Sequence, residues 1–233
     1  MSSLYKDFAE TQVIRALIFC LLLAGNAQSR ADGENRAAIE ALFSSEAYVA
    51  LERRWGADGR QRVVAWHDLL LRLNAVERAG ELANPAATND FFNAVPWLTD
   101  LEHWGKEDYW ATPMETLASN GGDCEDFSIG KYFSLRLTGV DEGKLRLTYV
   151  KSLTYNQAHM VLAYYDSPEA EPLILDNINK SILPASQRQD LLPIYGFNAE
   201  GLWLAKSRRS LEAGGGLSQW KDLLRRIHGK HGG

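Results

Sequence analysis

The hydrophobic period of this chain changes once, just after Gly139. Before that point apolar residues recur near helical spacing, as in Val63, Val64, Trp66, Leu69, Leu70, Leu73 and Val76. After it the apolar runs are short and strand-like. Leu145 to Val150 alternates with polar residues, His159 to Tyr165 is β-prone, and Pro172 to Asp176 is a third run. Asp166-Ser167-Pro168-Glu169 lies between the last two and suits a hairpin turn. Helices in one block and strands in the next predict an α+β fold. In it an N-terminal helical lobe and a further helix pack on an antiparallel β-sheet. No spacing repeats along the chain, so a solenoid is not expected.

Punctuation within the helical block places its elements. The pattern from Glu46 to about Ala94 is broken by Gly56, Gly59 and Gly80, and Asn84-Pro85 marks a turn or helix start. Trp97, Trp104 and Trp110 fall in a stretch of weak periodicity, read as loops and short helices on the core. Thr112-Pro113-Met114-Glu115 has the form of a capping box with proline at the first helical position. Asn120-Gly121-Gly122 ends that short helix, and Asp123 is a natural N-cap for the next. This second helix carries Phe127, Ile129, Tyr132, Phe133 and Leu137 and stops near Gly139. Toward the end, Ala213 to Gly216 reads as a flexible hinge within a 213–233 tail. A helix follows with Leu217, Trp220, Leu224 and Ile227 on one stripe, expected to dock on the domain.

At the other end, Lys6 and Arg15 precede the apolar run Ala16 to Ala24, and Gly25-Asn26-Ala27 offers small residues for cleavage. This is the pattern of a secretory signal over residues 1–27, and the run is too short to span a bilayer. Residues 28–45 read as a loose polar segment, and 46–212 as the folded domain. Its helical lobe is expected over about 46–120, and its catalytic helix and sheet over about 121–205. With 45% hydrophobic and 24% charged residues the chain has the composition of a soluble globular protein. A net charge of −5 gives no field that would attract nucleic acid. Cleavage after Ala27 would remove Cys20 and leave Cys124 as a lone thiol in an oxidising compartment.

Cys124 is therefore the residue to explain. It sits in the first turn of the predicted helix, where the macrodipole favours the thiolate. Gly121 and Gly122 before it would let the backbone bend sharply and a substrate approach. A free cysteine is also often a small buried apolar residue, but Asp123 and Glu125 flank this one. His159 opens a strand that is otherwise apolar, and a histidine there also fits a satisfied core position. Asp176 ends the next strand of the expected hairpin, within reach of the imidazole; it also fits a strand-end turn with Asn177. A carboxylate on one ring nitrogen fixes the tautomer and turns the other toward a thiol. Cysteine on a helix, then histidine and aspartate on successive strands, is a cysteine-protease arrangement by role. The Cys124 N–H and the Asn120 side chain are candidate oxyanion donors, although Asn120 equally suits a helix end. Zinc spacing and a phosphate-binding glycine loop are both lacking in the sequence.

Three blocks carry a resemblance. Gly121-Gly122-Asp123-Cys124-Glu125-Asp126, then Gln157-Ala158-His159-Met160-Val161-Leu162, then Leu175-Asp176-Asn177 resemble the bacterial transglutaminase-like cysteine peptidases of the LapG type. Trp110 to Pro113 and Tyr195 to Trp203 look similar too, so the likeness spans roughly residues 95 to 205. It implies a papain/transglutaminase-like fold with Cys124, His159 and Asp176 as catalytic triad. It also implies a periplasmic, calcium-dependent endopeptidase. Its substrate would be a large surface adhesin, cut near the N-terminus at paired alanines and released to promote biofilm dispersal. The periplasmic domain of an inner-membrane cyclic di-GMP receptor would sequester it. Other classes fit the same residues: a transglutaminase-type acyl transferase, or a catalytically silent periplasmic binding module.

Calcium has a physical motive besides. Asp123, Glu125 and Asp126 crowd the turn around the thiol, and their negative charge opposes a thiolate. A divalent cation would reverse that field, and calcium suits several oxygen ligands in flexible geometry. The family's metal site matches the Asp-Cys-Glu flank, which carries Asp123 and Glu125 over as ligands, with Asp126 beside them.

Overall fold

The computed structural model describes residues 33–75, 83–167, 169–204, 210–211 and 218–227. The predicted signal over 1–27 and the Gly-rich hinge at 213–216 lie outside the described residues. The helical lobe begins earlier than the sequence pattern suggested. Residues 33–42 form a helix, α1, where a loose segment was expected over 28–45. The reason is burial: Ile39 and Phe43 are 0% and 5% exposed and join the helical core, although most of α1 is solvent-exposed. Two apolar contacts of this kind contribute roughly 1.5–3 kcal/mol each, enough to hold a short helix in place.

Helix α2, Ser45–Ala75, bends at Gly56, whose φ of 74° favours glycine. Its inner stripe is Val63, Trp66, Leu69 and Leu70. α3, Ala83–Phe92, carries Asn84 and Pro85 in its first turn, where a missing N–H costs nothing. α4, Asp100–Trp104, and α5, Pro113–Ser119, both open on capping boxes, built by Thr99 with Glu102 and by Thr112 with Glu115. The longest of the remaining helices is α6, Cys124–Leu137.

Helix α6 is the hinge between two cores. One side meets the helical lobe, where Phe127 joins Val63, Trp66, Leu70, Phe92 and Leu117. Trp66 Nε1 donates to Ser134 Oγ at 2.8 Å, so α2 and α6 are also joined by a buried hydrogen bond. The other side, with Ile129, Tyr132 and Leu135, covers one face of the sheet.

Among the described residues the sheet has seven strands, all pairs antiparallel, in the order β4-β3-β2-β1-β5-β6-β7. β1 (Leu145–Ser152), β2 (Gln157–Tyr164) and β3 (Leu173–Leu175) are the predicted runs. β4 (Leu183–Pro184), β5 (Leu191–Phe197), β6 (Leu202–Leu204) and β7 (Ser210–Leu211) complete it. Period-2 alternation sets the register: Met160, Leu162 and Tyr164 face α6, while Val161 and Ala163 face the far side with Val150 and Ile174. Pro193 and Gly196 hide β5 from a propensity reading. The sheet admits them through a bulge, where Tyr149 pairs with Tyr195 but Val150 pairs with Pro193.

The terminal helix α7, Ser218–Ile227, docks on the domain as expected. Its buried residues are Trp220 and Leu223, with Leu224 and Ile227 packed beside them, a stripe rotated slightly from the sequence reading. Trp220 packs on Tyr132, Phe133 and Phe197, and Arg226 reaches Glu115 at 2.7 Å. Among the described residues no helix is long and apolar enough to cross a membrane.

Candidate active site

Three backbone elements converge at the N-terminus of α6. The segment before α4 runs beside the glycines: Trp97 and Gly122 form a parallel bridge, and Leu98 N–H donates to Gly122 O at 3.0 Å. Neither Gly121 nor Gly122 has positive φ, so sharp bending is not why they are glycines. Space is the reason. A Cβ on Gly121 would lie 2.5 Å from Leu98 Cδ1, and one on Gly122 would lie 2.8 Å from Asp126. Asn120 is the left-handed cap of α5, with φ 61°, and is exposed.

Asp126, fully buried, ties this turn together. Its Oδ1 accepts from Ala111 N–H at 2.7 Å and its Oδ2 from Asp123 N–H at 3.3 Å. Cys124 is half-buried at the first position of α6 and donates its S–H to Glu125 Oε2 at 3.0 Å. One turn on, Ser128 Oγ donates to Cys124 O at 2.9 Å and to Met160 O at 3.1 Å. That hydroxyl fastens the cysteine's turn to β2 at the residue next to His159.

His159 and Asp176 meet as the hairpin predicts. β2 and β3 pair in the register Leu162↔Leu175, so the start of β2 lies beside the end of β3. His159 Nε2 lies 2.8 Å from Asp176 Oδ1, and both residues are buried. Burial pushes the Asp176 carboxyl up. The His159 hydrogen bond and charge, the Ile178 N–H and Arg188 outweigh it and hold the group well below the usual carboxylate range. From α3, Asn93 Nδ2 donates to Asp176 O at 2.9 Å and fixes the backbone at this point.

The thiol lives in the opposite electrostatic environment. Burial first, then the Glu125 and Asp123 charges, pushes Cys124 well above the ordinary thiol value, against the Met160 N–H. Asp123 rises far above the carboxylate range for the same causes, burial and then Glu125. Asp126 rises likewise. Sequence reasoning missed two more acids in this group. Asp100 of α4 is 4% exposed and pushed up to about 6, chiefly by burial. Asp100, Asp123 and Asp126 bring oxygens within 4.8 Å of one another, as do Asp100, Asp108 and Glu125.

These residues fit a hard divalent cation. All the side-chain donors are oxygens, and Asp100 Oδ1 and Asp123 Oδ1 are buried with no hydrogen-bond partner among the described residues. Buried carboxylate oxygens left unpaired are costly unless something positive meets them. Asp126 already accepts two backbone N–H groups, so Asp100 is better placed than Asp126 to offer a free oxygen. The hint in the sequence was weak: Asp100 follows a Thr99 cap and reads as ordinary helix-start acidity.

Comparison with known proteins gives the site its context. A family model described as bacterial transglutaminase-like cysteine proteinase matches residues 78–191. The calcium-bound structure of Legionella pneumophila LapG superposes with a TM-score of 0.68 at 44% identity, covering 79% of this chain and 99% of that one. An EGTA-treated structure of the same LapG gives 0.69 at 44% identity, covering 79% and 98%. No curated protein sequence matches the chain. The expected transglutaminase-like fold is the one observed. By the extent and identity of these matches, the chain belongs to the bacterial transglutaminase-like cysteine proteinases.

Proposed function

We propose that this protein is a periplasmic, calcium-dependent cysteine endopeptidase with Cys124 as nucleophile, His159 as base and Asp176 as its orienting partner. The observation that carries this reading is the buried His159–Asp176 pair at 2.8 Å, whose histidine lies on the strand to which Ser128 fastens the Cys124 turn. Because Nε2 is engaged by Asp176, Nδ1 is the ring nitrogen left to take the thiol proton. The thiolate then attacks a peptide carbonyl, the leaving amine takes the proton back, and water resolves the thioester. Alignment at the helix N-terminus favours the anion.

Calcium belongs in this reading because LapG has a calcium-bound structure and the acidic group here suits the ion. Asp100, Asp123 and Glu125 would hold it, with Asp108 and Asp126 alongside. Bound there, it would supply positive charge beside a thiol that the Glu125 and Asp123 carboxylates otherwise disfavour. Glu125, freed from accepting the S–H, would no longer hold the thiol in its protonated form.

By the same family likeness the substrate is a large surface adhesin, cleaved near its N-terminus at paired alanines and so released from biofilm. An inner-membrane cyclic di-GMP receptor would sequester the enzyme through its periplasmic domain, after export by the N-terminal signal. The test is incubation of purified protein, with calcium, with an adhesin fragment carrying an Ala-Ala pair. Two shorter products support the reading. A cross-linked product would instead indicate acyl transfer to an amine, and an unchanged fragment a silent binding module. Replacement of the alanine pair by bulky residues should block the cut.

A further inference from the structure

We propose that Arg188 is a positioning residue for this chemistry, fixing Asp176 and through it the His159 ring; the inference rests on His159 and Asp176 acting as base and orienter. The Asp176 oxygens are fully engaged. Oδ1 accepts from His159 Nε2 at 2.8 Å and from Ile178 N–H at 3.0 Å, while Oδ2 accepts from Arg188 Nη2 at 2.7 Å. With a guanidinium holding Oδ2, the carboxylate cannot turn about its Cβ–Cγ bond without breaking a charge-assisted bond. The imidazole that leans on Oδ1 is therefore held at one angle.

Arg188 is itself held. Its side chain is 2% exposed. Nε donates to Asp190 Oδ1 at 2.9 Å and Nη2 to Asp190 Oδ2 at 2.8 Å. Its backbone closes the turn after Ala185–Gln187, donating to Ala185 O at 3.0 Å and accepting from Leu191 N–H at 3.0 Å. Leu153 N–H donates to Asp190 O at 2.7 Å, which ties the clamp to the turn between β1 and β2. The row His159, Asp176, Arg188, Asp190 thus spans β2, the end of β3 and the entry to β5.

Electrostatics give the clamp a second effect. An unneutralised carboxylate at buried Asp176 would hold a His159 proton too firmly for its return to a leaving group. The Arg188 charge offsets part of that pull. Lys131 of α6, with Asp90 behind it, is also close enough to interact electrostatically with Asp176. Its Nζ has no hydrogen-bond partner among the described residues, so it gives Asp176 no directional hold. A lysine at 188 would keep the charge but lose the fork that engages two aspartates at once.

The test uses the calcium-loaded full chain and p-nitrophenyl acetate, which needs no natural substrate. Cys124 Sγ attacks the ester carbonyl, a C–S bond forms, the C–O bond breaks and p-nitrophenolate leaves. Water then cleaves the thioester to acetate and thiol. After subtraction of the C124A background, R188K and R188M should lower kcat on the order of 10- to 100-fold with KM within about twofold. In R188M the His159 imidazole pKa, read by NMR, should rise by on the order of one unit, and millimolar guanidinium should restore part of the rate. Wild-type kcat in R188M, or a loss with neither a His159 shift nor guanidinium rescue, overturns the proposal. Should R188M not fold, R188K decides it: a native melting temperature with unchanged kcat overturns it, and with lowered kcat supports it. D176N separates the two readings, since full activity in that variant defeats the base-and-orienter assignment itself.

Discussion

Lys131 offers a test of how this fold balances burial against charge. It lies on α6, two turns from Cys124, and is 0% exposed. Burial lowers its pKa from 10.5 to about 7, partly opposed by Asp176 and Asp90. A drop of that size, at about 1.4 kcal/mol per unit, caps the cost of the buried ammonium at about 5 kcal/mol near neutral pH. Methionine keeps the unbranched stem and removes the charge. Lys131→Met should therefore stabilise the protein, by about 2 kcal/mol, within the range found when buried charge is replaced by an apolar side chain of similar volume. That corresponds to a melting temperature higher by roughly 4–8 °C. Between pH 7 and 10.5 the unfolded chain holds the Lys131 proton and the folded chain does not, so wild-type stability gains on the variant as pH rises. Below pH 7 both states bind the proton and the gap is constant; above 10.5 neither does and the gap closes. Urea denaturation of both proteins across this range reads the gap directly, because other titrating groups cancel in the difference. A destabilised variant, or a gap that ignores pH, would refute the reasoning and mean that the ammonium is well paired in solution.

Two further outcomes follow from packing and from the acidic group. Gly130→Ala should destabilise despite the better helix propensity of alanine, because its Cβ would lie 2.1 Å from the Phe92 ring; a loss of about 1–3 kcal/mol in chemical denaturation is expected. Calcium should raise the melting temperature of the wild type, and Asp100→Asn or Asp123→Asn should each reduce that rise, with isothermal titration showing weaker binding. Equal calcium responses in all three proteins would remove Asp100 and Asp123 from the ion's site.

The parts of the fold that build the candidate site were legible because each is written in local sequence. The Thr112 capping box, the Asp123 start and the apolar face of α6 follow from short-range chemistry, and so does the β2–β3 hairpin that joins His159 to Asp176. What escaped depends on distant partners. α1 is mostly solvent-exposed and owes its order to Ile39 and Phe43 docking on the helical core, which no window of its own sequence reveals. β5 carries Pro193 and Gly196 and forms only because β1 offers a bulge. Asp100 and Asp108 come from around α4, and Arg188 from a turn twelve residues past Asp176. Each gains its meaning from residues brought alongside by tertiary structure.

The central claim is that Cys124 is the nucleophile of a peptide-cleaving enzyme. It is tested most directly by incubating the calcium-loaded wild type and the Cys124→Ala variant with an adhesin fragment containing an Ala-Ala pair, and following the fragment by mass spectrometry. The account predicts two products cut at the alanine pair with the wild type and an intact fragment with a variant that melts normally. Loss of a nucleophile that works as a unit with its base should leave almost none of the covalent rate. Cleavage by the variant at the wild-type rate would contradict the account.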